Sequence, residues 1–185
     1  MYHIKHDKRA QASTELICAG LLACMKEKPF ARITITDVQR ASSVSRSTFY
    51  RNFDCLEDVL VLLCDRGFQA VFAARSALPP AQRGSLAKAV FQYWFHNSAV
   101  LEALVQIHRT DILFDSLRRS SGLIEALQPL ADDPARFDYF VAIITSAMIG
   151  VLTVWVEHGK TETEDQMVQK LTSAFIEMAI LELPG

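Results

Sequence analysis

The sequence predicts an all-α protein, and three observations support this fold class. Half of its 185 residues are apolar and 22% are charged, which excludes an intrinsically disordered chain. Seven Gly and six Pro are too few for a loop-rich protein. Strand-like Val/Ile/Thr alternation is rare outside Ile33–Thr36, whereas the helix formers Ala, Leu, Glu and Gln are plentiful.

Three helices are predicted within the first 53 residues. The first runs from about Arg9 to Glu27, where apolar residues recur at helical spacing. Thr34 is a suitable N-cap for a short second helix that ends around Ser43. Ser45 can cap a third helix that ends at about Phe53. Two short helices joined by a tight turn are typical of a helix-turn-helix.

The remaining chain continues as helices. A long helix with an apolar stripe is predicted from Leu56 to just before Pro79. Near the end of the chain, Gly159 is a good C-terminal cap for one helix, and Thr163 with Gln166 forms a capping box for the next. The other predicted helices cover about residues 86–97, 99–108, 112–127, 134–158 and 163–183.

Charge is distributed unevenly between these two parts. The first 53 residues hold nine Lys/Arg and four Asp/Glu, whereas residues 54–185 hold ten and seventeen. A basic N-terminal region followed by an acidic C-terminal region suggests a polyanion-binding module joined to a second part. Helical faces that merely differ in charge are the alternative explanation. We expect a helix-turn-helix DNA-binding domain over residues 1–53 and a helical regulatory and dimerisation domain over residues 54–185.

The third predicted helix suits the major groove of DNA. A helix that reads base edges needs short polar or basic groups on one face and an apolar anchor on the other. Phe49 and Phe53 lie four residues apart and should face the core. Arg46 is then free to offer a bidentate fork to guanine, which is worth about 1–3 kcal/mol of discrimination.

Phosphate contacts set the register of a protein on DNA without reading its sequence. Thr34, Tyr50 and Arg51 are better placed for this role than for base contacts. The complete set of residues predicted to contact DNA is Thr34, Thr36, Ser45, Arg46, Ser47, Thr48, Tyr50, Arg51 and Asn52.

Two segments carry a resemblance to a known family. Residues 33–38 (Ile-Thr-Ile-Thr-Asp-Val) and 44–53 (Val-Ser-Arg-Ser-Thr-Phe-Tyr-Arg-Asn-Phe) resemble the DNA-binding segment of the TetR family of bacterial regulators. The close match covers about residues 9–63, and residues 148–159 resemble the penultimate helix of one common subgroup. The resemblance implies about nine helices, a homodimer built on the last two, and a ligand cavity in the body.

Three positions depart from the family's pattern. Ser42 and Ser43 stand where the family usually has Ala-Gly, and Ser43 costs about 1 kcal/mol if the turn keeps a positive φ. Gln39 replaces a usual small residue. Leu56 occupies the place of a Lys that typically contacts phosphate, which predicts weaker binding and a flatter salt dependence. Residues that can compensate are Lys5, Lys8 and Arg9.

The body supplies candidates for dimerisation and for ligand binding. Apolar stripes on the last two predicted helices suit a four-helix bundle with a second copy, and packing within one chain is the alternative. The predicted dimerisation residues are Met148, Leu152, Trp155, Val156, Met167, Leu171, Phe175 and Met178. For an apolar or aromatic effector, as the resemblance implies, the candidate cavity residues are Phe91, Trp94, Phe95, Phe114 and Phe140.

Other classes of function find little support in the sequence. The four cysteines lack CxxC spacing and are most simply buried, reduced thiols, although a redox role for Cys55 or Cys64 stays open. The pair His3 and His6 has metal-ligand spacing but lies in a polar tail, so we expect no metal and no cofactor. No catalytic triad order, phosphate loop or carboxylate pair is present, so we expect no enzyme.

The uncharged residues 139–156 just reach the length of a membrane span. Polar residues dilute this stretch and no Lys/Arg cluster lies close to either end, so a helix buried between protein layers is favoured. No secretory signal is present, and we expect a cytoplasmic protein.

The leading interpretation is a dimeric, ligand-responsive regulator, a repressor that binds a palindromic operator. The alternative is a protein-binding adaptor on the same scaffold with weak or no DNA binding. The departures at Ser43 and Leu56 favour the adaptor, and the intact polar face from Arg46 to Arg51 opposes it.

Overall fold

The computed structural model describes residues 2–4, 7–130 and 133–181 of the chain. Within these residues the protein has ten α-helices, three 3₁₀ turns and no β-strand, so the predicted all-α class is confirmed. The helices are α1 (Lys8–Glu27), α2 (Ile35–Ser42), α3 (Arg46–Asn52), α4 (Leu56–Ser76), α5 (Leu86–His96), α6 (Ser98–Gln106), α7 (Asp111–Arg119), α8 (Ser121–Leu127), α9 (Pro134–Glu157) and α10 (Glu164–Leu181). The 3₁₀ turns are Phe30–Arg32, Pro80–Gln82 and Gln128–Leu130. Lys5, His6 and Leu183, the predicted end of the last helix, lie outside the described residues.

One predicted helix is divided in two. The segment predicted as a single helix over residues 112–127 forms α7 and α8, because Ser120 between them is extended (φ −67°, ψ 120°). Near the start of α8, a Cβ atom on Gly122 would come within 2.3 Å of the Phe72 side chain. Only glycine therefore lets this turn of α8 pack directly on the Phe72 ring.

The chain folds into two compact units. Unit 1 contains the residues up to Arg66 together with Ala99–Ser116, and unit 2 contains Gly67–Ser98 together with the residues from Leu117 onward. Most of α6 and the first part of α7 thus belong to the same unit as the helix-turn-helix. The predicted division at residue 53 concerns function, and it stays a prediction.

Unit 1 is built on an apolar core beneath α2 and α3. Helices α1 and α2 approach closely, since a Cβ atom on Gly20 would lie 2.9 Å from Ser42 Cβ and 3.1 Å from the Val38 carbonyl oxygen. The apolar side chains that are fully buried in this unit include Ile17, Leu21, Val38, Phe49, Phe53, Val59, Leu60, Leu101, Leu104 and Leu113. This core fixes the buried side of α3.

Unit 2 has an aromatic core. Phe68 and Trp94 meet edge to face with their ring centres 5.4 Å apart, and Phe91 is fully buried. Helix α9 contributes Leu152 and Trp155, which are both buried. The core therefore combines rings from α4 and α5 with the inward side of α9.

Both predicted caps near the end of the chain are confirmed. Gly159 follows α9 with φ 76°, a value that favours glycine. The capping box before α10 has both of its hydrogen bonds: Thr163 N donates to Gln166 Oε1 at 2.8 Å, and Gln166 N donates to Thr163 Oγ1 at 3.4 Å.

Helix α9 is apolar on all sides but only partly covered. Its stretch Arg136–Glu157 is long and apolar enough to cross a membrane, and 33% of its most apolar part is buried. The outward side carries Tyr139, Ile143 and Val154, which are 75%, 53% and 46% exposed. The sequence predicts that α9 is covered by protein on two sides, but within a single chain only one side of α9 is covered.

Candidate nucleic-acid interface

The turn between α2 and α3 has the backbone geometry of a helix-turn-helix. Ser43 adopts the left-handed conformation (φ 57°, ψ 22°) at the position where the sequence predicts a positive φ. The Ser42 hydroxyl accepts a hydrogen bond from Val44 N at 3.3 Å, and both flanking residues are buried. Their burial holds Ser43 in a conformation that costs a non-glycine residue about 1 kcal/mol.

A charged hydrogen-bond network fixes the start of α2. Thr34 Oγ1 accepts from Asp37 N at 3.2 Å, and Thr34 N donates to Asp37 Oδ2 at 2.8 Å. Lys28 Nζ lies 2.7 Å from the same Oδ2. The hydrogen bonds from Lys28 and then from Thr34 hold the pKa of Asp37 well below its usual value. The carboxylate therefore stays ionised at the positive end of the α2 dipole.

This network changes the role that the sequence assigns to Thr34. Its hydroxyl donates to Asp37 Oδ2 at 2.7 Å, so both its N–H and its O–H are committed within the chain. We therefore assign Thr34 to the organisation of α2 instead of to donation to phosphate. Thr36, in the first turn of α2, is exposed, and its hydroxyl has no partner among the described residues.

Helix α3 presents a polar face to solvent and an apolar face to the core. Phe49 and Phe53 are fully buried, with ring centres 5.8 Å apart. The Ser45 hydroxyl caps the helix by accepting from Thr48 N at 3.3 Å. Of the residues predicted on α3 and its cap, Ser45, Arg46, Ser47, Tyr50 and Arg51 are exposed and Thr48 is half-buried.

Neighbours one helical turn away hold the two arginines of α3. Arg46 Nη2 donates to Tyr50 Oη at 3.4 Å, and its guanidinium carbon lies 5.5 Å from the centre of the Tyr50 ring. Arg51 Nη2 donates to Thr48 Oγ1 at 2.8 Å. No carboxylate in the described part of the chain pairs with Arg46 or Arg51. Both positive charges therefore remain available for phosphates or bases.

Asn52 is a correction to the predicted contact set. Its side chain is 1% exposed, and its Nδ2 donates to the Thr48 carbonyl oxygen at 3.3 Å. Its main-chain carbonyl accepts from His3 N at 3.0 Å, while its Oδ1 has no hydrogen-bond partner in the described structure. Asn52 follows Phe49 by three residues and so shares the buried face of α3. We therefore remove it from the residues predicted to contact DNA.

A basic recess lies beside α3, at the start of α1. It has a volume of about 360 Å³ and is lined by Lys8, Arg9 and Arg51 together with Asp7 and Ala10. The Asp7 carboxylate is committed to capping α1, since it accepts from Ala10 N at 2.8 Å. Three cations around one recess are suited to a phosphate group.

The start of α4 adds no cation to this surface. Leu56 is buried, and the first turn of the helix carries Glu57 and Asp58. Among the described residues, Lys8 and Arg9 of α1 are the cations that can take over a phosphate contact from this position.

Known proteins resemble this chain in both sequence pattern and fold. The TetR_C_8 family, a transcriptional regulator C-terminal region, matches residues 85–177, which is half of the chain. The chain belongs to the TetR family of transcriptional regulators. No curated protein matches the sequence of this TetR-family chain significantly.

Two solved structures share the fold of this TetR-family chain. A TetR-family transcriptional regulator from Syntrophomonas wolfei is 17% identical, with a TM-score of 0.67 over 94% of this chain and 97% of that one. A TetR transcriptional regulator from Streptococcus agalactiae is 19% identical, with a TM-score of 0.56 over 89% and 93% of the two chains. At these identities the similarity is one of fold.

The predicted dimerisation residues of this TetR-family chain divide into two groups. Met148, Leu152, Trp155 and Met167 are buried within the single chain, although Trp155 and Met167 also line an open groove between α9 and α10. The others remain at least partly accessible: Val156, Leu171 and Phe175 are half-buried and Met178 is exposed.

The predicted effector residues also occupy different environments. Phe91 and Trp94 are buried in the core of unit 2, and Phe95 stacks on Trp155 with ring centres 5.4 Å apart. Phe140 lines a groove of about 450 Å³ in unit 2. Phe114 is half-buried in unit 1.

The cysteines sit where their thiols are poor nucleophiles. Burial raises the pKa of Cys18 to about 11 and that of Cys64 well above its ordinary value. Burial also raises the pKa of Cys24 and of Cys55. These environments give no support to a redox role, because reactivity requires the thiolate. Within the described residues no three His, Cys, Asp or Glu side chains gather into a metal-binding group.

Proposed function

We propose that this TetR-family chain is a ligand-responsive, dimeric repressor that binds a palindromic operator in the cytoplasm. The exposed polar face of α3 carries the proposal, because it presents uncompensated arginines on a helix whose other face is anchored in the core. A bound dimer covers its operator against other proteins, and we therefore assign repression.

The roles of the polar residues follow from their positions. Arg46 lies at the first position of α3 and reads guanine in the major groove through a bidentate fork. Arg51, Lys8 and Arg9 share the basic recess and bind a backbone phosphate. Because one helix-turn-helix reads few bases, two copies on successive major grooves supply the remaining specificity.

An open apolar groove between α9 and α10 supports dimerisation. It has a volume of about 710 Å³, and its lining includes Ile143, Val154 and Met178, which are 53%, 46% and 59% exposed. Contiguous exposed apolar surface on a protein of this size marks an interaction site. A second copy that buries this surface also covers the outward side of α9.

Small residues line the part of this groove where we expect a helix of the second copy to come closest. Ser146 and Gly150 lie one helical turn apart in its lining, and a Cβ atom on Gly150 would meet nothing within 4 Å. No contact within the chain therefore requires glycine at this position. A helix of the second copy can approach the backbone there. At the rim, Lys170 Nζ lies 3.7 Å from Glu162 Oε1, which matches the polar rim of an interface.

Two unsatisfied polar groups in unit 2 support a small-molecule effector. Trp94 Nε1 and Thr145 Oγ1 are buried and have no hydrogen-bond partner in the described structure. Each unsatisfied group costs about 1–3 kcal/mol. A ligand atom that pairs with either group recovers this cost, and a ligand that favours one dimer conformation changes DNA affinity.

Selection from a library of random-sequence duplexes tests this function. We expect the wild-type protein to enrich a palindrome whose half-sites lie about one helical turn apart. Arg46→Ala should fail to enrich that site, whereas Arg118→Ala, at an exposed arginine outside the helix-turn-helix, should enrich it like wild type.

A protein shown to be folded that enriches no duplex at low salt would contradict the proposal. The adaptor on the same scaffold would then be the better account, since the buried Leu56 already deprives α4 of a phosphate contact.

A further inference from the structure

We propose that a second groove in unit 2 binds an organic anion with an apolar body, namely a medium-chain carboxylate. The groove lies between the second half of α4, the following loop and α5, and all its lining residues belong to unit 2. Its volume of about 550 Å³ is in the range of small-molecule sites. It includes none of the aromatic residues that the sequence assigns to an effector cavity.

The floor of this groove is apolar. Val71 and Ala74 of α4, Leu78 of the loop, and Ala89 and Tyr93 of α5 all line it. Leu78 is 43% exposed, so its side chain still offers apolar surface to a ligand. An alkyl chain of about eight carbons that lies along this floor is removed from water together with the wall that it covers.

Two arginines line the same groove without a carboxylate partner. Arg75 Nη1 donates to the main-chain carbonyls of Arg83 and Gly84, the latter at 2.8 Å. Arg83 Nε donates to the Leu78 carbonyl oxygen at 3.1 Å. No carboxylate among the described residues pairs with either guanidinium. The loop thus orients both cations at the groove, and no described residue supplies a compensating negative charge.

The third cation in the lining, Lys88, differs from the two arginines because it has a carboxylate partner. Lys88 Nζ lies 2.5 Å from Asp165 Oδ1, so its charge is already compensated within the chain. The excess positive charge of the groove therefore belongs to Arg75 and Arg83. Guanidinium groups bind carboxylates through two parallel hydrogen bonds, which selects a carboxylate among simple anions.

The apolar floor and the two arginines together define the ligand that this groove can bind. A short carboxylate gains only a solvent-exposed ion pair, which is worth little in water. An uncharged alcohol of the same length supplies no negative charge to either guanidinium group. A medium-chain carboxylate satisfies both parts of the groove, and we therefore expect its affinity to exceed that of either partial ligand.

Equilibrium dialysis of the full-length protein against labelled octanoate, octanol and acetate tests the proposal. We expect octanoate to bind at one site per chain, and octanol and acetate to bind at least about tenfold more weakly, because each lacks one half of the interaction. Equal binding of octanoate and octanol, or no binding of octanoate, would overturn the proposal.

Three variants locate the site. Arg83→Gln should weaken octanoate binding by about tenfold or more through loss of a charge-assisted hydrogen bond. Ala74→Trp fills the groove from an exposed position of α4 and leaves both arginines in place, so it should abolish binding even if Arg83→Gln disturbs the loop. Arg118→Gln, outside the groove, should bind octanoate like wild type. Undiminished binding by Ala74→Trp would place the ligand elsewhere and refute the proposal.

A carboxylate bound in this groove would be the effector of the proposed function. Carboxylate binding itself does not depend on DNA binding, and only an effect of the ligand on DNA affinity rests on the proposed function. Dialysis measures ligand binding in the absence of DNA, whereas the duplex selection measures DNA binding in the absence of ligand. A protein that selects a palindrome but binds no octanoate refutes the groove alone, and the reverse result refutes the DNA-binding function alone.

Discussion

Arg46 lies over the ring of Tyr50, with its guanidinium carbon 5.5 Å from the ring centre and its Nη2 3.4 Å from the phenolic oxygen. The two residues are four apart on α3, so they meet on its exposed face. The contact restricts the guanidinium before DNA is bound. Tyr50 is therefore a positioning residue for Arg46 as well as a candidate phosphate contact.

Loss of the Tyr50 ring should reduce discrimination more than loss of its hydroxyl. Exposed cation–π contacts are worth about 0.5–1 kcal/mol, so Tyr50→Ala should lower the preference for a selected duplex over a scrambled one about two- to fivefold. Tyr50→Phe keeps the ring and should stay near wild type. Fluorescence anisotropy measures both affinities. If Tyr50→Ala weakens binding to both duplexes equally, the ring does not position Arg46 and the positioning role is wrong.

Ser43→Gly should stabilise the protein by about 1 kcal/mol, because Ser43 is held at φ 57° where glycine carries no Cβ penalty. Urea unfolding measures the change. The matched control is Gln11→Gly in the exposed part of α1, which should destabilise by about 0.5–1 kcal/mol. Equal destabilisation by the two substitutions would show that the turn imposes no cost on Ser43.

Asp37→Asn should destabilise the protein at neutral pH in a pH-dependent way. The pKa of Asp37 is lowered in the folded state by hydrogen bonds from Lys28 and Thr34, so the carboxylate stabilises the fold above its unfolded pKa. This contribution is lost as the pH falls through the folded pKa. The difference in unfolding free energy between wild type and variant should therefore be largest near pH 7 and should shrink in acid.

The control for this pH dependence is Asp115→Asn. Asp115 is exposed on α7 and has no ion-pair or hydrogen-bond partner among the described residues. Its substitution should leave stability nearly unchanged across the same pH range. A constant deficit of Asp37→Asn from pH 7 into acid would mean that its ionisation does not support α2.

Val154→Asp should break the proposed dimer. Val154 lines the α9–α10 groove, and a second copy would bury the new carboxylate without a partner, twice in a symmetric interface. Dimer affinity should fall at least about a hundredfold in sedimentation equilibrium. Leu16→Asp makes the same kind of change at a 51% exposed leucine of α1 and should leave the dimer intact. Equal dimer affinities for wild type and Val154→Asp would refute the interface.

The sequence was sufficient for the features that are local in the chain. Caps at Thr34, Ser45 and Thr163 depend on neighbours within three residues, and all three are formed. The left-handed turn at Ser43 follows in the same way from the spacing of two short helices. The core face of α3 follows from the separation of Phe49 and Phe53.

The sequence is less informative where the spacing of its apolar residues is incomplete or ambiguous. Asn52 is polar, but it follows Phe49 by three residues, and this spacing could have placed it on the buried face. The dimerisation residues stay a prediction, because α9 is apolar on all sides and periodicity cannot separate its inward Leu152 from its outward Val154. The break at Ser120 lies two residues before the close contact between Gly122 and Phe72, and sequence periodicity reveals neither feature.

In the proposed function, the exposed face of α3 reads bases through Arg46. The most direct measurement is the affinity of wild type and Arg46→Ala for the selected duplex and for each of its single base-pair substitutions. We expect wild type to lose about 1–3 kcal/mol at one guanine of each half-site, and Arg46→Ala to lose discrimination at that position alone. Uniform weakening of Arg46→Ala across all substitutions would show that Arg46 contacts only the backbone, and the claim would be wrong.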